Sequence, residues 1–202
     1  MPIPKPLFLH RPRTWLASGL LAACLALPPA QAQTAPVATL QTAGSEIVFT
    51  IRQMGVPVEG RFGRFQAQIA FDPRQPAGGS VRLSIDTGSA RFGAREIDAE
   101  VGKPAWLDAA KFPQAIFTSR AIKALGDGRF EVSGELGIKG STRPLVVPVQ
   151  ITQAGGASTA RGRFAIERLA FRIGDGEWSD TSLVADEVQV RFEFALTGLP
   201  PL

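Results

Sequence analysis

The sequence predicts an all-β fold: an antiparallel barrel of about eight strands with a short helical insertion around residues 94–111. Two observations support this prediction. From residue 44 onward, apolar and polar residues alternate with a period of two, and turn-forming residues separate the alternating segments. Each segment is apolar on one face only, which is typical of antiparallel sheets. We expect a single β-domain over residues 44–198.

The alternation is clearest where Phe65, Ala67, Ile69 and Phe71 are separated by polar residues. Several segments are long enough to favour tilted strands that wrap into a barrel over a two-sheet sandwich. A barrel of eight strands is also the size that can enclose one small ligand. The predicted strands are Ser45–Ile51, Arg61–Phe71, Val81–Ile85, Ala115–Ile122, Phe130–Leu136, Leu145–Ile151, Ala160–Ile166 and Glu187–Leu196.

The stretch from residue 94 to 111 breaks the alternation. Ile97 and Val101 are spaced as on one face of a helix, and Pro104 ends that turn. Trp106 and the two residues after it resume a helical pattern, so we expect two short helical pieces.

The first 32 residues have the three parts of a secretory signal. Lys5, Arg11 and Arg13 provide a positive start, an apolar run follows over residues 15–27, and Ala30-Gln31-Ala32 is a small-x-small cleavage site. The apolar run is too short to span a bilayer comfortably. We therefore expect a cleaved signal peptide and export.

A lipid anchor is the alternative for this end of the chain. Leu21-Ala22-Ala23-Cys24 fits a lipoprotein processing site, with Cys24 as the acylated residue. We favour soluble export because the apolar run continues past Cys24 and a conventional cleavage site lies just beyond it. Residues 33–43 are rich in Ala, Pro, Gln and Thr, and we expect them to be disordered.

Composition excludes several classes of chemistry. The one histidine, His10, and the one cysteine, Cys24, both lie in the predicted signal, and the chain has no tyrosine. The exported protein would therefore lack the parts of zinc sites, of Ser–His–Asp or Cys–His nucleophiles and of histidine-ligated haem. We expect no catalytic residues and no metal site.

Charge argues against a nucleic-acid partner. Most of the net charge of +4 belongs to the predicted signal, and the remaining basic residues are scattered along the chain. The acidic side chains Glu96, Asp98 and Glu100 are two residues apart, so they do not share a helical face. We interpret them as a solvated charged turn and not as an acid–base pair.

Four blocks of sequence are similar to the motifs of one protein family and occur in that family's order. They are Ile47–Ile51 with Met54-Gly55-Val56 and Gly60-Arg61-Phe62; Asp98 with Trp106–Ser119; Gly134–Pro144; and Ile166–Gly174. On these blocks, which span essentially all of residues 44–197, the chain resembles the YceI-like family.

The resemblance implies a lipocalin-like barrel, located in the periplasm, whose long apolar cavity holds a polyisoprenoid chain such as a quinone tail or another isoprenoid lipid. It implies no other cofactor. Two departures affect the ligand: Ile97 stands where the family often has Arg, and the loop over residues 174–180 differs from the family's usual form.

Inward-facing residues of the early and middle strands are the candidate ligand contacts, with Trp106 near the cavity mouth because its N–H needs a partner. Each phenylalanine could equally fill a solid core. Trp178, in the variant loop, is a further candidate contact. The predicted ligand-binding residues are Phe49, Phe65, Ile69, Leu83, Ile85, Trp106 and Phe117.

Three functions are compatible with the sequence. We favour an exported carrier that sequesters an apolar isoprenoid lipid without catalysis. The first alternative is a ligand-free periplasmic structural or stress-response protein that acts through its surface, and the second is an enzyme that uses carboxylates. The sequence leaves open whether the protein contacts a membrane transiently and whether it forms a homodimer.

Export with cleavage makes a direct prediction. The intact mass of the exported protein should correspond to a chain that begins at Gln33. A diacylated chain beginning at Cys24 would establish the lipid anchor instead, and retention of residues 1–23 would contradict both forms of processing.

Overall fold

The computed structural model describes residues 35–202, which form a single antiparallel sheet of ten strands. The predicted signal and its cleavage sites lie outside the described residues. The strands are β1 (Val37–Gln53), β2 (Val56–Phe62), β3 (Phe65–Ala70), β4 (Ser80–Asp86), β5 (Ala90–Arg91), β6 (Gln114–Gly126), β7 (Arg129–Ile138), β8 (Ser141–Ala154), β9 (Ala157–Glu167) and β10 (Glu187–Thr197).

The sheet closes on itself because its first and last long strands pair. Neighbouring strands follow the order β10-β9-β8-β7-β6-β4-β3-β1, and β1 also pairs with β10, so eight strands form a closed ring. The β1–β10 register runs from Thr39 opposite Thr197 to Thr50 opposite Gln189. The predicted eight-stranded antiparallel barrel is thereby confirmed. The short β2 and β5 extend the wall beside the second half of β1.

Tight turns join the strands of the main meander. Four hairpins have two-residue loops with positive φ at both central residues, as type I′ turns require. This turn twists in the same sense as the strands that it connects, so it fixes their register. The four loops are Met54-Gly55, Asp127-Gly128, Lys139-Gly140 and Gly155-Gly156.

The start of the domain differs from the prediction. Residues 37–43, which we expected to be disordered, belong to β1: Thr39–Gln41 pair with β10, and Val37 and Ala38 pair with β3. Their composition is poor in large apolar residues, but the exposed edge of β10 offers hydrogen bonds that the backbone of β1 satisfies. Leu40 opposite Leu196 fixes the register, and Ala38 is fully buried. This part of the disorder prediction is wrong.

One predicted strand is two strands. We expected one strand over residues 61–71, but the alternation of Phe65–Phe71 does not extend back through Phe62, and the chain breaks its pairing at Gly63 and Arg64. Before the break β2 pairs with β1, and after it β3 pairs with β4. The inward side changes phase at the break, from Gly60 and Phe62 in β2 to Phe65 and Ala67 in β3, and the three-residue step from Phe62 to Phe65 is its mark in the sequence.

The helical insertion contains one helix, α1 (Arg95–Val101). Elsewhere the described chain has three 3-10 helices of three residues and one of four residues. After Pro104 the chain forms hydrogen-bonded turns instead of the second helical piece that we expected, and Asp108 has a left-handed φ of 48°. The 3-10 helices are Pro76–Gly78, Thr87–Ser89, Arg168–Phe171 and Gly176–Trp178. Within residues 35–202, no helix is long and apolar enough to cross a membrane.

The carboxylates of the insertion have separate surroundings. Asp98 accepts a hydrogen bond from the backbone N–H of Phe92, which ties α1 to the loop before it. Glu100 forms an ion pair with Lys103 at 2.6 Å, and Glu96 is exposed. These contacts stabilise the insertion.

Candidate functional site

The barrel encloses an apolar cavity that we call the first chamber. Its volume is about 130 Å³. Every lining side chain is Ala, Val, Leu, Ile or Phe, including Ile69, Leu83, Phe117, Phe130 and Phe194. No polar side chain faces this space, so it can hold an apolar group but offers nothing that would orient a polar one.

A second chamber of about 120 Å³ lies next to the first in the same barrel. The two chambers share the lining side chains Ile85, Leu136 and Phe164, which therefore form the partition between them. The second chamber is also mostly apolar, but Thr87, Trp106 and Arg168 line it as well. Three residues with polar groups therefore border the second chamber, whereas none borders the first.

A lateral groove lies outside the first chamber, between β1 and β3. Its volume is about 670 Å³, and Ala67, Ile69 and Val81 line both the groove and the first chamber. The wall is weakly paired here: β1 and β3 share only two residue pairs, at Val37 and Ala38. The register between β1 and β10 also shifts between residues 41 and 46, beside the groove.

Glycines in the wall keep the chambers open. Phe49 lies directly opposite Gly60, and Phe192 lies directly opposite Gly162. In both pairs a Cβ on the glycine would overlap the tip of the phenylalanine ring. Each ring therefore leans across the neighbouring strand and does not project into the middle of the lumen. Gly134 receives the ring of Phe117 in the same way.

All seven predicted ligand-binding residues line these spaces. Ile69, Leu83, Ile85 and Phe117 line the first chamber. Phe49, Trp106 and again Ile85 line the second, and Phe65 lines the lateral groove together with Ile69. The core and cavity interpretations of the phenylalanines are compatible, since the rings of Phe49 and Phe117 are buried and also border empty space. Contact of these residues with a ligand stays a prediction.

Trp106 lies where two loops meet at the end of the barrel. Its ring is 5.5 Å from that of Trp178, measured between centroids, and the guanidinium of Arg168 is 6.0 Å from its centroid. The backbone N–H of Gly174 donates to the carbonyl of Ala105, which joins the two loops beside the indole.

Sequence reasoning assigned no role to Arg168, which is 1% exposed. Its five N–H groups donate to five backbone carbonyls, those of Ile173, Gly174, Trp178, Val184 and Ala185, at 2.7–3.0 Å. The side chain therefore fixes the loop over residues 168–186 against the end of the second chamber. Its position in sequence was a signal: Arg168 follows Phe164 and Ile166, so it continues the inward-facing side of β9.

The charge of Arg168 has no carboxylate hydrogen-bonded to it. Burial lowers the pKa of Arg168 from its ordinary value, and the negative charge of Asp186 partly opposes that shift. Arginine stays protonated all the same, because its ordinary pKa is far above neutrality. Within residues 35–202, no group of three or more acidic, histidine or cysteine side chains is arranged to hold a metal ion.

Lys139 makes a second tie at this end of the barrel. It is 6% exposed, at the turn between β7 and β8, and its Nζ donates to the carbonyls of Arg172 at 2.6 Å and Ala105 at 3.3 Å. Asp175 lies 3.7 Å from the same nitrogen. Lys139 thus binds the loop after α1 and the loop after β9 at one point.

Comparison with known proteins identifies this architecture. Residues 39–196 match the model of the YceI-like domain. This chain belongs to the YceI-like family. The resemblance found in the sequence motifs is therefore confirmed over nearly the whole barrel.

Relatives of this YceI-like chain include UPF0312 proteins of Vibrio and Shewanella. One from Vibrio cholerae is 31% identical over 144 residues, covering 71% of this chain and 76% of the relative. One from Shewanella denitrificans is 30% identical over 141 residues, covering 69% of this chain and 74% of the relative.

Solved structures share the fold. BcnA of Burkholderia cenocepacia superposes with a TM-score of 0.75 at 42% identity, covering 77% of this YceI-like chain and 98% of BcnA. A polyisoprenoid binding domain from Saccharophagus degradans, implicated in plant cell wall breakdown, superposes with a TM-score of 0.64 at 17% identity, covering 82% and 99%.

The packing of Phe192 over Gly162 predicts the effect of adding one methyl group. In Gly162→Ala the new Cβ would overlap Phe192 Cζ and lie 2.7 Å from the carbonyl oxygen of Pro148. The ring must swing away, so we expect the free energy of unfolding to fall by about 1–3 kcal/mol in chemical denaturation. Gly137→Ala is the matched control, since its nearest contacts would be ordinary at 3.6 Å, and it should unfold like the parent protein. Equal stability of both variants would contradict the role of Gly162.

Because Arg168 donates to five carbonyls, replacing it with lysine should lower the stability of the protein even though the positive charge is kept. Lysine has three donors and therefore cannot serve all five carbonyls. We expect Arg168→Lys to lower the free energy of unfolding by about 2 kcal/mol or more. Arg163→Lys, at an exposed position of β9, should change it by less than about 0.5 kcal/mol. Similar denaturation midpoints for the two variants would rule out the anchoring role.

Proposed function

We propose that this protein is an exported carrier that holds a long apolar isoprenoid lipid in its barrel and catalyses no reaction. One observation carries the proposal: two apolar chambers lie in series inside one closed barrel. A space that is narrow and divided along its length suits a thin, flexible chain better than a bulky or polar molecule.

The size of the chambers supports this ligand class. An engineered apolar cavity of about 150 Å³ stays dry and binds benzene, and each chamber here is slightly smaller. Each therefore suits a group of about the size of one isoprene unit, and a longer chain requires the partition side chains Ile85, Leu136 and Phe164 to move aside. Since all three are aliphatic or aromatic, their movement exposes no polar group.

Burial alone supplies the affinity. Each buried methylene contributes about 0.8 kcal/mol, so a few isoprene units are enough for stable binding without any hydrogen bond. A ligand that fills the chambers also adds contacts that an empty lumen lacks, and it should therefore raise the melting temperature of the protein.

The family supports the same proposal. The S. degradans domain that shares this barrel is described as polyisoprenoid binding. The absence of histidine, cysteine and tyrosine after the predicted signal supports binding over catalysis. The predicted signal supports export to the periplasm, where a water-insoluble lipid needs a carrier.

Exchange of such a lipid requires transient contact with a membrane. Three exposed apolar side chains lie near each other beside the barrel end: Met54 and Val56 at the β1–β2 turn, and Leu183, whose carbonyl accepts a hydrogen bond from the Met54 N–H at 2.8 Å. We propose that these side chains touch the bilayer during exchange.

A charge placed in the chamber wall tests the carrier function. Leu83 lines the first chamber, and an unpaired carboxylate there would cost several kcal/mol. We expect Leu83→Asp to abolish both the lipid that copurifies with the protein, measured by mass spectrometry of an organic extract, and the uptake of isoprenoid lipid from loaded vesicles. Circular dichroism should confirm that the variant is folded.

Arg163→Asp is the matched control. Arg163 is on the exposed face of β9 and lines neither chamber nor the lateral groove, so its replacement should leave lipid binding unchanged. Ile69→Asp, at another lining position, should reproduce the loss. Equal loss in Leu83→Asp and Arg163→Asp, or no lipid in the parent protein under any loading condition, would favour a ligand-free protein that acts through its surface.

A further inference from the structure

The two chambers follow one another along the barrel, and the inward-facing residues of β10 give their order. Val188 and Val190 line the second chamber, and Phe194 and Leu196, further along the strand, line the first. Leu199, just beyond the end of β10, lines the first chamber but not the second. Leu199 therefore lies at the far end of the lumen, across the first chamber from the partition.

The segment after β10, residues 198–202, carries Leu199 and is called the end segment below. Gly198 has a left-handed φ of 83° and turns the chain out of the strand. Leu202 lies over Gly128 in the turn between β6 and β7, with its Cδ1 3.4 Å from where a Cβ on that glycine would stand. Because β9 and β8 lie between β10 and β7 in the sheet, the end segment passes over both at this rim of the barrel.

One glutamine holds the end segment in place. Gln153 follows Ile151 on the inward side of β8, at the rim of the first chamber. Its Nε2 donates to the carbonyl of Pro200 at 2.9 Å, and its Oε1 accepts a hydrogen bond from the backbone N–H of Leu202 at 2.9 Å. Among residues 35–202, no other side chain forms a hydrogen bond with this segment. Gln153 is exposed, so water can replace both bonds when the segment moves.

The rest of the lumen is closed more firmly. At the end beside the second chamber, the buried cations Arg168 and Lys139 donate to seven backbone carbonyls between them. At the rim of the first chamber, the loop after β3 is held by Phe71, which is buried with its ring centroid 5.1 Å from that of Phe130. Leu199 is only half-buried. The end segment is therefore the part of the closure that opens at the lowest cost.

We propose that Leu199 sets the length of isoprenoid chain that the closed barrel accepts, and that the end segment moves outward when a longer chain reaches it. The inference rests on the proposed carrier function and adds a chain-length limit to it. Each chamber suits about one isoprene unit, so a chain of several units fills the lumen and meets Leu199 at its end. A further unit must then displace Leu199 or remain in water, and either outcome lowers the affinity.

A series of isoprenoid hydrocarbons of increasing length tests this limit on the intact protein. These probes carry no polar group, so their affinity does not depend on which end lies beside Leu199. Each probe is equilibrated between the protein and phosphatidylcholine vesicles, and the bound amount is measured by mass spectrometry. While an added unit fits in the barrel, the partition should change little, since the unit is buried in both places. At the limit, one further unit should lower it about tenfold or more.

Two substitutions of Leu199 should move this limit in opposite directions. Leu199→Ala removes most of the side chain at the end of the lumen, so the fall should occur at a chain up to about one unit longer. Leu199→Trp fills part of the first chamber, so the fall should occur at a shorter chain. Leu125→Ala is the matched control: Leu125 is 45% exposed and lines neither chamber, so the limit should stay where it is. Circular dichroism should confirm that each variant is folded.

Gln153→Ala tests the movement of the end segment. It removes both hydrogen bonds to the segment but keeps Leu199, so chains beyond the limit should lose less affinity while shorter chains bind as before. Thr152→Ala, at the exposed neighbouring position of β8, should behave like the parent protein. In the parent protein, the backbone N–H resonance of Leu202 should shift when a chain beyond the limit binds, and should stay in place with shorter chains.

The outcomes separate this inference from the proposed function. If the parent protein binds none of the hydrocarbons, the carrier function itself is wrong. If it binds them but the limit is the same in the parent protein and in both Leu199 variants, the chain ends elsewhere, and the inference is overturned. A partition that does not fall at any length would also overturn it. Identical length profiles for Gln153→Ala and the parent protein would show that the end segment does not move.

Discussion

Backbone hydrogen bonds between β1 and β10 turn a sheet with two open edges into a barrel, and the rest of the molecule depends on this closure. An open sheet with this pattern would expose one continuous apolar face and two unpaired edges. Pairing the first long strand with the last removes those edges and turns the apolar face inward. The strands form the wall of the lumen, and α1 with the loops that follow α1 and β9 covers the end of the second chamber, which Val101, Trp106 and Ile173 line. The paired β1 includes residues whose composition suggests no structure, because closure required a partner for the edge of β10.

A closed barrel of apolar side chains would ordinarily fill its own interior, and two features keep this one hollow. Phe49 and Phe192 lie over the glycines opposite them, so their rings pack against the barrel wall and not in the middle of the lumen. At one end, the cations of Arg168 and Lys139 bind the loops through backbone carbonyls. This end is therefore held by hydrogen bonds as well as by the apolar side chains Val101, Leu107 and Ile173, which line the second chamber.

Sequence reasoning reached the fold and the set of lining residues for a simple physical reason. The inward side of a strand is set by a period of two, so Ile69, Leu83 and Ile85 had to face the interior once those segments were strands. It failed where pairing decided the outcome. At the break between β2 and β3 the inward side passes from Phe62 to Phe65, which marks an irregularity in the strand but does not say which strands pair on either side of it. The order of residues 37–43 comes from neighbours far away in sequence. The role of Arg168 was also missed, because the sequence does not show that five backbone carbonyls of the following loop surround its side chain.

The sequence by itself determined the fold class, the antiparallel alternation, the family and the apolar character of the interior, since each depends on local pattern or on motifs that are contiguous in the chain. Only the tertiary structure decided that the interior is hollow, that Ile85, Leu136 and Phe164 divide it, and that Leu199 lies at its far end. The position and volume of a cavity depend on distances between residues on different strands and loops. A one-dimensional pattern carries no information about those distances.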